Sequence, residues 1–422
     1  MTLRIGYLGL GAMGGALATH LLGQDLTVCD RNPAAVAGLV ARGAKAARPA
    51  DLARGCDVIL MCLPRTSDVR DALFAPGGLA EGLAPGKLVI DQTSGNPEAT
   101  ALIADDLARL GVMMMDAPVS GGIPAAQAGK VTIIASGALA AWERAEPILR
   151  ALSDKVFHCS PRVGDGQALK LVNNAIGAGY RMATLELVAL GRAAGLGLAP
   201  LVAMLNAGPA ANFTSRNMLA GLVEGRSTTN FALSLMVKDL NEALTLGTAT
   251  GSAMPLTAGA RGVMQVGLHL MGPGAKLDDV IPLTERLSGV TLTGDGSADT
   301  ALMAQIELAC VTCNLIAISE CVAMGLRYGL SGPEMARILA VGSAWSAVID
   351  DILPAMAEGR SAQLRWTLPE AEAALSALQD RAAGLGLPML LTQTALAFVQ
   401  DARSWLGPKA NLGQLTFGYD QA

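Results

Sequence analysis

The sequence is poor in aromatic side chains and in charge. Phe, Trp and Tyr make up 3% of its 422 residues, and the four charged types together 16%. So few aromatics leave little material for base-stacking platforms. Lys and Arg number 31 against 36 Asp and Glu, a net charge of −5, and no Lys/Arg run marks a basic patch. Composition therefore argues against a nucleic-acid partner. Cysteine is sparse too: seven residues, an odd number scattered through a large chain, do not make a disulfide framework. Cys310 and Cys313 lack a second pair and a nearby His, and read as buried helix cysteines. The three histidines, His20, His158 and His269, fall at no triad or metal spacing, and neither G-x-S-x-G nor H-E-x-x-H occurs.

What the chain has is apolar material. At 51% hydrophobic it can fill a large core, which excludes general disorder, and its length suggests two or three domains. The charge-free stretches 193–215 and 382–400 are interrupted by Gly, Pro and polar residues. They read as buried helices rather than the roughly 20 continuous apolar residues of a membrane span. The opening MTLRIGYLGLG runs into a glycine loop without a cleavable leader pattern. The expectation is a soluble, cytoplasmic protein with no membrane partner.

Along the first 160 residues, short apolar runs alternate with Ala/Leu-rich helical segments. The runs lie at 3–8, at LTVCD ending on Asp30, and at 57–64, 87–92, 112–118, 130–136 and 155–159. This alternation predicts an α/β, Rossmann-type doubly wound and mostly parallel sheet. After about Gly164 helical spacing takes over, so the C-terminal half is predicted to be all-α. That half also repeats itself. With an offset of 134, Glu186 meets Glu320, Gly191 meets Gly325, Gly208 meets Gly342, and Glu224-Gly225-Arg226 meets Glu358-Gly359-Arg360. A charged triplet is not a composition effect. The expected domains are 1–163, a dinucleotide-binding domain; 164–290, a helical substrate domain; and 291–422, a second, related helical domain.

The first motif with chemistry in it is Gly9-Leu10-Gly11-Ala12-Met13-Gly14, between a predicted strand and a helix. Gly9 permits the tight turn, Gly11 lets backbone approach a pyrophosphate, and Gly14 allows close packing of helix on strand. Asp30, at the end of the next strand, can accept from ribose hydroxyls and repels a 2′-phosphate, so NAD is favoured over NADP; Arg31 beside it weakens that preference. A second feature is ALKLVNNAIGAGYR, where Lys170, Asn173, Asn174, Gly177 and Arg181 recur at helical spacing on an apolar helix. By spacing alone this is either a solvated stripe or a catalytic one, in which a lysine in a dry site exchanges a proton near neutral pH. A third, Asp116-Ala117-Pro118-Val119-Ser120-Gly121-Gly122, is either a plain loop or a hydroxyl-and-amide nest for a carboxylate.

GLGAMG with DRNP, CLP at 62–64, DAPVSGG at 116–122, GDGQALKLVNN at 164–174 and MVKDL at 236–240 occur in that order. Together they resemble the 3-hydroxyisobutyrate dehydrogenase-like family of β-hydroxyacid dehydrogenases, over about residues 1–290. The resemblance implies an NAD-dependent oxidoreductase acting on a small 3-hydroxy acid. Lys170 would be the catalytic acid/base and Asn174 would orient substrate. Ser120, Gly121 and Gly122 would hold the substrate carboxylate. Leu63, Pro64 and Ser94 would line the cofactor site, and Lys238 would lie by its nicotinamide end. DQTSGNP at 91–97 departs at Ser94 from the family's Asp-x-Ser-Thr order. The second helical repeat places Ala304 where the first has Lys170, and Lys409 is the only lysine after residue 290, so one active site per chain is expected. The repeat is read as a built-in substitute for a partner subunit's helical domain, giving a monomer with an internal pseudo-dimer, or a homodimer. Two other readings stand beside this one: a decarboxylating enzyme resembling phosphogluconate dehydrogenase, and a non-catalytic dinucleotide-binding sensor or assembly protein. An imine reductase suits the lysine less well.

Overall fold

Residues 3–419 are described by a computed structural model, and the chain divides into two units, Met1–Leu171 and Val172–Ala422. In the first unit nine strands form one sheet: β1 Arg4–Leu8, β2 Asp25–Cys29, β3 Lys45–Ala46, β4 Val58–Met61, β5 Leu88–Asp91, β6 Met113–Asp116, β7 Val119–Ser120, β8 Thr132–Ser136 and β9 Lys155–Ser160. Their order is β3-β2-β1-β4-β5-β6-β8-β7, with β9 on β8. Every pairing is parallel except those of β8 with β6 and β7. The seven sequence-predicted strands are all present. The two-residue strands β3 and β7 are additions too short to carry a periodic signal. Apolar side chains cover both faces, with Tyr7, Val28 and Leu60 on one and Ile59, Met61 and Val89 on the other. Strands buried on two faces read as unbroken apolar runs, which is why they were legible.

Order reverses at β1, which has β2 on one side and β4 on the other. In open α/β sheets a ligand binds beyond the strand C-termini at this reversal, and the glycine loop stands there.

Two long helices organise the second unit and its approach. The first central helix, Asp165–Ala193, begins in the first unit, and the second, Thr300–Tyr328, lies within the second. Both have 29 residues. The second is buried without a break from Leu308 to Gly325. It is the one helix among the described residues long and apolar enough to cross a membrane, and 78% of its apolar window is buried inside the fold. Its cysteines Cys310 and Cys313 are among those buried residues. Each fully buried Leu or Ile contributes about 1.5–3 kcal/mol, so such helices are stable only with cover on every side.

They cover one another. Gly179 faces Ala317, Thr184 contacts Cys310, and Gly191 faces Ile306, an antiparallel crossing. The crossing is a pseudo-two-fold. Asn212 and Ser346, equivalent under the 134 offset, pair with each other. Around them Phe213 N donates to Trp345 O (2.9 Å), and the equivalent Ala347 N donates to Ala211 O (2.8 Å). Tyr180 Oη donates to Ser346 Oγ (3.0 Å), and Asn212 Nδ2 donates to Asn314 Oδ1 (3.1 Å), where Asn314 is the counterpart of Tyr180. Isologous contact of this kind usually joins two copies of one chain. Here the duplicated helical domains of a single chain make it.

The exchange extends to helix caps. Glu320 accepts from Leu256 N (2.8 Å) and Thr257 N (3.0 Å) at the start of the Pro255–Met271 helix. Glu186 accepts from Leu390, Leu391 and Thr392 N–H groups (2.9–3.1 Å) at the start of Leu390–Leu406. Each repeat thus satisfies orphan amides of the other. Thr257 and Thr392 are 135 apart, so one residue has been inserted between the repeats after the EGR triplet. Glu320 is fully buried. Glu320→Ala leaves two buried amides without their acceptor and should lower unfolding free energy by about 2–4 kcal/mol in denaturant titration.

Candidate active site

The glycine loop carries the geometry that its three glycines require. Gly9 has φ +94°, reserved in practice for glycine. A Cβ on Gly14 would meet the Gly9 carbonyl at 2.0 Å and Cys62 Cβ at 3.0 Å. A Cβ on Gly11, by contrast, would have nothing within 4 Å. Gly11 opens onto space at the N-cap of the Ala12–Ala18 helix, where a pyrophosphate would be held. Leu10, Ala12 and Met13 complete the loop. Asp30 Oδ2 accepts from Leu10 N (2.5 Å) and Oδ1 from Asn32 N (2.7 Å), so the acid also braces the loop. Arg31 is exposed. Leu63 N donates to Thr93 Oγ1 (3.1 Å), its side chain lies against Gly9, and Pro64 is exposed beside it. Ser94 follows β5 and is half-buried. These residues fit a dinucleotide.

Ser120 ends β7 and is buried; Gly121 (φ +133°) and Gly122 (φ +73°) both need glycine's freedom. Lys170 is 6% exposed, on the first central helix.

The position of Lys170 is set by a cluster that sequence reading left without a role. Asp116 is wholly buried and accepts from Ser136 Oγ, from Gly164 N (2.7 Å) and from Gln167 N (2.7 Å). Gly166 N donates to Ser136 Oγ (2.9 Å). The Gln167 amide donates to Asp91 Oδ2 (3.2 Å) and the Thr93 carbonyl (3.0 Å) and accepts from Thr100 Oγ1 (2.8 Å). The amides opening the lysine helix are therefore held by the ends of β5, β6 and β8. A Cβ on Gly166 would strike the Ile134 carbonyl at 2.3 Å, which explains the second glycine of Gly164-Asp165-Gly166-Gln167. The available signal was the acid that opens DAPVSGG, one residue type for which a strand end facing a helix start has an obvious use.

In the second unit the polar chain continues. Asn173 Nδ2 donates to Ser343 Oγ (2.8 Å) and Asn174 Oδ1 (3.1 Å), and its Oδ1 accepts from Ala344 N (3.1 Å). Asn174 Nδ2 donates to Asp239 Oδ2 (2.6 Å), and Asp239 pairs with Lys238 (2.9 Å). The amide orientation of Asn174 is thus fixed from both sides. One fixing arm, Ser343-Ala344, belongs to the second repeat. The same contact recurs in mirror form, with Glu307 in the place of Asn173 and Gly208 in that of Gly342. Trp345 stacks under Arg216 (3.9 Å to the ring centroid) at the repeat junction.

Comparisons with known proteins identify the family. Residues 4–160 match the family model described as the NAD binding domain of 6-phosphogluconate dehydrogenase. Residues 164–284 and again 302–415 match that described as the NAD-binding domain of NADP-dependent 3-hydroxyisobutyrate dehydrogenase. The chain belongs to the 3-hydroxyisobutyrate dehydrogenase-like family of β-hydroxyacid dehydrogenases, with its helical domain duplicated. It is an oxidoreductase of the class that acts on a hydroxyl group with a nicotinamide dinucleotide. Among its relatives, 2-(hydroxymethyl)glutarate dehydrogenase of Eubacterium barkeri is 32% identical over 69% of this chain and 98% of that protein. The NAD-dependent L-serine dehydrogenase of Pseudomonas aeruginosa is 36% identical over 60% and 88%. The 6-phosphogluconate dehydrogenase of Plasmodium falciparum, at 14% identity and TM-score 0.68, covers 95% of this chain and 93% of its own, a likeness of fold alone.

Burial pushes the Asp116 carboxyl up to about 7, against the opposing pull of its three donors. The folded state therefore holds a proton that the unfolded chain releases near 3.8. The contribution of this group to stability is complete below about pH 4 and is lost as pH rises through 7. Denaturation midpoints of the wild type should fall across that window. Asp116→Asn should be less stable throughout and lack this part of the slope.

Proposed function

We propose that the protein oxidises the hydroxyl of a small 3-hydroxy acid, or reduces the corresponding carbonyl, with Lys170 as general acid/base. The observation that carries this reading is the buried Lys170 one turn before an Asn174 whose amide is fixed by Asn173 and Asp239. In the second repeat the same two positions are Ala304 and Leu308. A lysine and an amide kept at low exposure only where the glycine loop precedes them are best explained by chemistry.

The glycine loop, Asp30, Leu63, Pro64 and Ser94 would hold the dinucleotide, which when bound supplies the hydride acceptor or donor. Lys170 Nζ takes the hydroxyl proton as the C–H bond is broken, and returns it in reduction. Asn174 positions the hydroxyl, and Ser120 with the Gly121 and Gly122 amides holds the carboxylate. Lys238, paired to Asp239, would lie by the nicotinamide end. Asp30 favours NAD, and one relative, an L-serine dehydrogenase, is named NAD-dependent. Substrates named for relatives differ in side chain, so the acid itself is not assigned by likeness. The second repeat acts as the built-in partner of the first, supported by the isologous contact at Asn212 and Ser346.

A second reading, prompted by the duplicated helical half, is a decarboxylating reaction; carbon dioxide among the products would support it. For the main reading, NAD reduction is followed over a panel of 3-hydroxy acids. Lys170→Ala should lower kcat by about 10²–10⁴ while dinucleotide binding, read by calorimetry, persists. Full turnover in that variant would remove the lysine from the mechanism.

A further inference from the structure

Arg181 is a buried cation of the lysine helix that the proposed reaction leaves unused. Its side chain is 5% exposed. Its single hydrogen bond runs from Nη1 to the Gly177 carbonyl of its own helix, at 3.4 Å, and its Nε has no partner. No carboxylate among the described residues forms an ion pair with it. Asp278 acts on it only at a distance, because both Asp278 oxygens are taken by Ser227, Thr228 and Thr229 (2.6–3.0 Å). Burial lowers its pKa to about 10, which still leaves the guanidinium charged at neutral pH. A buried, unpaired guanidinium carries a penalty of several kcal/mol that folds avoid. Something must compensate for it.

The internal repeat provides a control. Lys170, Asn174, Gly177 and Arg181 stand at i, i+4, i+7 and i+11, on one face of one helix. Their counterparts are Ala304, Leu308, Val311 and Leu315, all apolar. The helix pairing therefore functions with leucine at this position, and packing does not ask for a cation. All four positions are distinct only in the repeat that carries the candidate lysine. The bond to the Gly177 carbonyl shows that the guanidinium folds back one turn toward Asn174. That puts it roughly 10 Å along the helix axis from Lys170, at 1.5 Å per residue. A 3-hydroxy acid whose hydroxyl meets Lys170 covers such a distance through a short carbon chain ending in a carboxylate, with one hydrogen bond at each end.

We propose that Arg181 binds a second anionic group of the substrate, so that the preferred substrate is a 3-hydroxy acid carrying a distal carboxylate. The proposal rests on the hydroxy-acid reading above. A guanidinium suits the task because its fork of donors matches a carboxylate, and pairing in a dry site supplies the missing counter-charge.

The test uses the full chain and a matched pair, 3-hydroxyadipate and 3-hydroxyhexanoate, which differ only in the distal carboxylate. The wild type should favour 3-hydroxyadipate in kcat/KM by about 10- to 100-fold, the worth of charge-assisted hydrogen bonds. In Arg181→Leu, the residue that the second repeat uses, that ratio should collapse, and Arg181→Lys should retain part of it. The leucine variant should also melt at a higher temperature, since it removes an unpaired buried charge. A ratio near one in the wild type, or an unchanged ratio in the leucine variant, would overturn the proposal. Adipate binding, read by calorimetry without turnover, separates this inference from the reaction assignment. Adipate binding abolished in Arg181→Leu supports the anion site even if no hydroxy acid turns over. Failure of adipate to bind the wild type would overturn the site whatever the reaction proves to be.

Discussion

Two buried helices of 29 residues each cannot face water, and everything in the helical half follows from how they cover one another. The crossing places Tyr180 and Asn314 at its centre and pairs Asn212 with Ser346. It also sends each central glutamate into the other repeat's helix start. Because the contact is isologous, a substitution at a paired position in one repeat is felt through its counterpart in the other. Duplication within one chain fixes the pairing at high effective concentration, so association no longer depends on protein concentration.

Duplication also leaves the two copies with different side chains on the same helix face. The first repeat keeps Lys170, Asn174, Gly177 and Arg181 on one face, and the second fills the same positions with Ala304, Leu308, Val311 and Leu315. Yet the second repeat is not a bystander. Ser343 and Ala344 hold Asn173, which holds Asn174, which is held in turn by Asp239. On the side of the first unit, Asp116 and Gln167 fix the opening turn of the lysine helix to the strand ends. Within the second unit Asn173 and Asn174 are thus held by Ser343, Ala344 and Asp239, and within the first unit the opening turn of the helix is held by the strand ends.

Much of this was legible in the sequence. Apolar runs buried on two faces, glycines at the loop after β1, and the 134-residue offset each leave a local or periodic trace. The two-residue strands β3 and β7 leave none. Asp116 was visible as a residue but not as a brace, because its partners lie 20 to 51 positions away along the chain. The Asn173 contact with Ser343 spans 170 positions and depends on how two repeats meet, which no local pattern encodes. Arg181 was seen on the stripe, but that it lacks a partner is a property of three dimensions only.

The Asn212–Ser346 contact has the second repeat stand in for a partner subunit. Sedimentation equilibrium of the full chain measures it most directly. The account predicts a single species of 43.0 kDa across the micromolar range, with the isologous surface satisfied internally. A stable species of twice that mass that Asn212→Ala returns to 43.0 kDa would contradict it, because the Asn212–Ser346 surface would then be joining two chains.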